Sequence, residues 1–189
     1  MKRAGEIAPG GMAAILGLDI PALEKVCAEA SRVDEIVEVA NDNCPGQVVI
    51  SGARPALERA LRLAKESGAR RAMPLAVSIA AHSPLMVVVQ TEFAGALADA
   101  SIAKANLPVV GNVTGLPLSS VDEIQSDVHA QLNSRVRWTE SIQYMISQGV
   151  NTFVELGSRN VLTGMLKRID RSTKGIPLGT IKDFKVFFG

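Results

Sequence analysis

No run of 18 apolar residues occurs anywhere in the 189-residue chain, so no segment is expected to span a membrane. The opening stretch, MKRAGEIAPGGMAAI, lacks the long apolar core and small-residue cleavage site of a secretory leader. Cysteine is scarce: Cys27 and Cys44 are the only two, and their spacing fits no metal site. Both read as reduced, buried small hydrophobes in a cytoplasmic setting. Charge of one sign is lacking too, with 20 basic residues against 19 acidic ones and a formal net charge of +1. Without a basic stripe interleaved with aromatics, nucleic acid is not an expected partner. Histidine is as scarce, with His82 and His129 alone, and no His/Asp/Glu cluster predicts a metal site.

What is present is a 47% apolar composition rich in Ala, Val and Leu, enough for a sizeable α/β core. MAAILGL (12–18) reads as an apolar strand. Leu23, Val26, Cys27 and Ala30 then recur at helical spacing. IVEVAND (36–42) and QVVISG (47–52) are two further strands, joined through Asn43-Cys44-Pro45-Gly46. Pro pre-sets φ and Gly tolerates positive φ, which suits a type II turn. A second helix carries Leu57, Ala60, Leu61 and Ala64 on one face, and RRAMPLAVSI (70–79) is expected as the closing strand. The order β-α-β-β-α-β is that of a ferredoxin-like sheet.

The rest alternates helix and strand. Ser83-Pro84 predicts a helix start, with Met86, Val89, Phe93 and Leu97 facing inward. LPVVGNV (107–113) predicts a short buried strand, and Ser120 with Glu123 a capping box for a helix to about Leu132. Ile142, Met145 and Ile146 mark the next helix. NTFVELG (151–157), NVLTGMLKRI (160–169) and IPLGTI (176–181) read as strand, helix and strand, followed by an apolar tail, KVFFG. Strands separated by helices predict parallel pairing with both faces covered. Three such strands leave an apolar edge that something else should cover.

Six stretches, in this order, carry a resemblance: GGMAAILGL (10–18), NDNCPGQVVISG (41–52), AAHSPLM (80–86), PVVGNVTG (108–115), VRWTESIQYM (136–145) and VELGSRNVLTGMLKRI (154–169). The chain resembles the C-terminal part of the malonyl-CoA:acyl carrier protein transacylases. The resemblance implies an α/β fold in which residues 12–78 form a ferredoxin-like small subdomain. Residues 79–189 would be the C-terminal portion of an α/β-hydrolase-like acyltransferase subdomain. The family's nucleophile lies in a G-H-S-x-G-E elbow, and this sequence contains no G-x-S-x-G. The Gly-Gln-rich segment near the family's start and the malonyl-binding arginine are missing as well. The expectation is therefore a truncated or split enzyme, inactive alone.

In the family a serine attacks the thioester of malonyl-CoA, and the phosphopantetheine thiol of acyl carrier protein takes the acyl group. No cofactor is implied. A serine hydroxyl needs a neighbouring base, and histidine can take and return the proton. A lone histidine on an apolar stretch is more often a satisfied core residue. A strand-end position favours catalysis, and by resemblance His82 is the family's catalytic histidine. The resemblance also implies that the backbone carbonyl of Gln131, rather than an aspartate, orients it. From the residues alone Gln131 is equally a polar helix-end glutamine.

Other candidates have simpler readings. Ser83 is expected to cap a helix, Cys44 to sit in a turn, and His129 to be solvated. Asn41 and Asn43 either line the cleft or make local turn bonds. Ala81 stands where many relatives carry an aromatic, which leaves acyl selectivity open, including a branched group. GSRN (157–160) replaces a Gly-Pro-Gly-containing loop. Two alternatives stand beside the malonyl transferase: a non-catalytic module contacting carrier protein or a separate N-terminal half, and a fragment of a polyketide-type acyltransferase.

Overall fold

The computed structural model describes residues 2–189. After a short helix, α1 (Lys2–Ile7), come β1 (Gly10–Leu16), α2 (Ile20–Ala30), β2 (Val37–Cys44), β3 (Gln47–Ala53), α3 (Arg54–Glu66) and β4 (Arg71–Pro74). The four strands form one antiparallel sheet in the order β2-β3-β1-β4. Alternation explains its two faces. Ala13, Ile15, Val48 and Ile50 point toward α2 and α3, where Leu23, Val26, Ala56, Leu57 and Ala60 complete the main core. Met12, Ala40 and Val49 point the other way and meet Ala81 and Ile79. Asp19 caps α2 by accepting the Ala22 N–H at 2.9 Å. The Pro45-Gly46 turn closes the β2–β3 hairpin, with Gly46 at φ 68°.

The expected strand 70–79 is shorter. It ends at Pro74, and from Leu75 to Ser78 the chain is exposed before it crosses to the second face of the sheet. Leaving the sheet is what lets Ile79 and Ala81 pack on Met12, Ala40 and Val49.

The second half departs further from expectation. Pro84–Val89 is a 3-10 helix that runs into α4 (Gln90–Ala98). Met86 and Val89 are buried, Phe93 and Leu97 only partly so. LPVVGNV is not a buried strand. Only Val109–Val110 (β5) pairs, antiparallel, with Pro117–Leu118 (β6), and Val109 is 42% exposed. Then follow α5 (Val121–Ala130), α6 (Trp138–Ser147), β7 (Thr152–Leu156), α7 (Val161–Ile169), β8 (Lys174–Leu178) and α8 (Ile181–Phe188). β7 and β8 pair in parallel, as helix-separated strands should, but the faces are not both covered: Val154 and Leu156 are exposed. The apolar tail lies in α8, which starts with a Thr180–Asp183 capping box. There Phe187 and Phe188 meet edge-on at 4.8 Å. No described helix is long and apolar enough to cross a membrane.

Candidate active site

α5 begins with the capping box read from the sequence: Ser120 Oγ accepts the Glu123 N–H at 3.1 Å, and Glu123 Oε2 accepts the Ser120 N–H at 3.0 Å. Its other end organises the site. The last carbonyls of a helix have no N–H one turn further on and must find other donors. Here four successive carbonyls, the last two of α5 and the two just beyond it, each have one. His129 O accepts from Gln90 Nε2 at 3.0 Å, and Ala130 O from the Asn133 N–H at 3.2 Å. Gln131 O and Leu132 O are both taken by one residue, His82.

His82 Nδ1 lies 2.8 Å from Gln131 O, and the His82 backbone N–H donates to Leu132 O at 3.0 Å. A carbonyl only accepts, so the first contact requires the proton on Nδ1. The lone pair of the neutral ring is then on Nε2. The ring is half-buried, while both neighbours are buried. Ala81 packs against the sheet, and Ser83 Oγ donates to Ala80 O at 2.7 Å. That bond replaces the helix cap expected of Ser83: its hydroxyl is turned away from the first turn of the 3-10 helix, which has no side-chain cap. His82 has φ 59°, the one positive φ among the described non-glycine residues. A bulky side chain adopts that conformation only when its surroundings over-determine it, and such residues gather at functional sites.

Position 81 is not open to solvent. Ala81 is 6% exposed and its neighbours are Met12, Ala40 and Val49. His129 is not simply solvated either. It is half-buried under Gln90, whose Nε2 lies 3.1 Å from its Nδ1. A groove of about 550 Å³ beside it, between α4 and α5, is lined by Ala94, Leu97, Ser126 and His129 and does not include His82. Asn41 and Asn43 are half-buried on β2.

Neither thiol has a nucleophile's surroundings. Burial, with Glu38 and Glu24 nearby, pushes Cys27 up to about 12. Burial also raises Cys44, against the opposing charge of Arg168. No group of three His, Cys, Asp or Glu among the described residues could hold a metal ion.

Contacts between the segment after α5 and β2 carry no signal in the sequence. The Val136 N–H donates to Ala40 O at 2.8 Å, and the Asp42 N–H to Val136 O at 2.9 Å. Thr139 Oγ1 donates to Asp42 Oδ1 at 2.7 Å. On α7, Arg168 reaches the β2–β3 turn, donating to Gln47 Oε1 at 2.6 Å and Pro45 O at 2.7 Å.

A family profile described as the acyl transferase domain matches residues 1–182. A malonyl CoA-acyl carrier protein transacylase from Staphylococcus aureus (strain COL) is 38% identical over 185 residues, covering 98% of this chain and 60% of that protein. The crystal structure of a malonyl-CoA:acyl carrier protein transacylase from Xanthomonas oryzae pv. oryzae KACC10331 is similar with a TM-score of 0.93 and 38% identity, over 98% of this chain and 59% of that one. A malonyl-transacylase in complex with its type II PKS acyl-carrier protein matches with a TM-score of 0.92 and 34% identity, over 97% and 60% of the two chains. The chain spans about three fifths of the length of the curated relatives it matches.

Proposed function

The chain belongs to the acyl transferase domain family, and from that membership we propose that it supplies the general base of a malonyl transferase acting between malonyl-CoA and acyl carrier protein. The carrying observation is the carbonyl clamp on His82, which holds Nδ1 at 2.8 Å from Gln131 O. The clamp sets the tautomer as a carboxylate would, with less stabilisation of the charged ring. Nε2 takes the proton of a serine hydroxyl as the oxygen attacks the malonyl thioester, and CoA leaves as its thiol. In the second half-reaction Nε2 takes the proton of the phosphopantetheine thiol, and the serine recovers its own as the acyl group departs.

The serine belongs to a G-H-S-x-G-E segment, and this sequence has none. The relatives' additional length is the natural source. Apolar side chains left open on the acyltransferase portion support the same reading: Val154 and Leu156 on β7, Leu107, Val109 and Leu116 around the β5–β6 hairpin. A two-stranded parallel pair is too small to stand alone as a sheet, and its free edges suit strands from the nucleophile-bearing part. Residues 12–78 are then the ferredoxin-like lid of the cleft and residues 79–189 one wall. Two reduced cysteines accord with a cytoplasmic setting.

Malonyl transfer from malonyl-CoA to holo acyl carrier protein, corrected for hydrolysis, tests this. Residues 1–189 alone are expected to give none. Mixing with a separately made segment bearing G-H-S-x-G-E should restore turnover, and His82→Ala should abolish it. Carrier-protein binding without restored turnover would instead mark a non-catalytic module. The likeness to a transacylase that serves a type II PKS carrier favours including such a carrier as a second acceptor.

A further inference from the structure

We propose that Asp42 and Thr139 are positioning residues for His82, acting through the segment that bears its two carbonyl partners; this rests on the reading of His82 as the base. Gln131 and Leu132 lie beyond the end of α5, outside any regular element. Their carbonyls can hold the imidazole only if the chain after them is itself held. Residues 133–135 alone separate Leu132 from Val136, and Val136 is fixed on both sides. Its N–H and carbonyl bracket Asn41 as a one-residue parallel bridge, and the next N–H, of Arg137, donates to Asn112 O at 2.8 Å.

β2 accepts this bridge on its outer edge because its other edge is spent on β3, with register shifts between Val39 and Asn41 and between Asp42 and Cys44. A one-residue bridge is weak by itself. Asp42 and Thr139 reinforce it. Thr139 stands in the first turn of α6, where Arg137 offers no side-chain cap, so the Asp42 carboxylate also brings negative charge to an uncapped helix start. Thr139 is 8% exposed, which shields this charge-assisted bond from competing water.

The same strand supports His82 from below. Ala40, whose carbonyl receives the Val136 N–H, packs its side chain in the cluster containing Ala81. One short piece of β2 therefore sets both the base of the histidine and the path of its clamp. If the Asp42–Thr139 bond is lost, residues 131–136 relax while Ala81 stays seated, and the ring loses its fixed tautomer. The small sheet thus controls the protonation geometry of a residue it does not contain.

Imidazole ¹⁵N spectroscopy of the 189-residue chain, with His82 signals assigned by their absence in His82→Gln, tests this. The parent should show Nδ1–H as the main neutral form. Thr139→Val should lose that dominance while core methyl shifts of Ile50 and Leu23 stay in place, and Thr139→Ser should regain it. A parent without Nδ1–H overturns the underlying reading of the clamp. A parent with it and an unchanged Thr139→Val overturns the positioning role alone. If Thr139→Val does not fold, amide exchange in the parent decides: the N–H groups of His82, Val136 and Asp42 should open as one unit. A more than tenfold difference in protection between His82 and the other two overturns the proposal.

Discussion

The carboxylate of Glu155 on β7 accepts the backbone N–H of Thr163 at 2.8 Å, and with it that of Leu162 at 3.0 Å, so a strand residue caps the helix that follows it. Asn160, at the N-cap position of α7, makes no side-chain cap bond. Burial pushes the Glu155 carboxyl up, but these N–H groups outweigh it and hold the group below its ordinary value of 4.5. Water screens this site, so Glu155→Ala should cost only about 0.5 kcal/mol at neutral pH. A depressed carboxyl stabilises the fold above its unfolded pKa, and that contribution fades as pH falls through the folded value. The stability gap between parent and variant should therefore narrow below pH 4.5, as read by urea melts across pH. A gap independent of pH would exclude the charged cap.

Position 82 offers a test of backbone conformation separate from chemistry. His82→Gly and His82→Ala lose the same ring contacts, but at φ 59° only glycine is unstrained. Relief of left-handed strain exceeds glycine's entropic cost, so His82→Gly should be more stable than His82→Ala by about 0.5–1 kcal/mol. Denaturant midpoints with equal m-values would establish it, and the reverse order would contradict the conformation.

The thiols should be inert in the folded chain. Cys27 and Cys44 are 4% and 0% exposed, and burial raises both. At pH 7.5 a thiol-reactive dye should label neither at more than about a tenth of the rate in denaturant, since thiolate and access are both lacking. Fast labelling of either in the native chain would refute their burial.

Arg168 joins α7 to the β2–β3 turn with two donors on one guanidinium. Arg168→Lys keeps the charge but not the fork, and should lose roughly 0.5–1 kcal/mol at this exposed site. Exchange of the Gly17 N–H, which donates to Gly46 O in that turn, should accelerate while that of Ile50 does not. Equal acceleration at both would mean general destabilisation instead.

The first third of the molecule was legible in the sequence because its sheet is finished within the chain. Leu23, Val26, Cys27 and Ala30 recur every three or four residues, and the strands they cover lie next to them. The 107–113 stretch misled for the opposite reason: apolar residues state a need for burial without naming what satisfies it, and Val109 remains open. At the candidate site, His82 stands out as one of two histidines. Gln131 does not, since the atom that touches the ring is a main-chain oxygen common to every residue. Asp42 and Thr139 carry no such signal, since 97 positions separate them and neither type is unusual where it stands.

Trp138, the one tryptophan of the chain, immediately precedes Thr139 and opens α6 with its indole N–H buried and unpartnered. Nature has thus installed an optical gauge at the junction between sheet and clamp. Its emission colour should follow loosening there without any dye, label or engineered reporter.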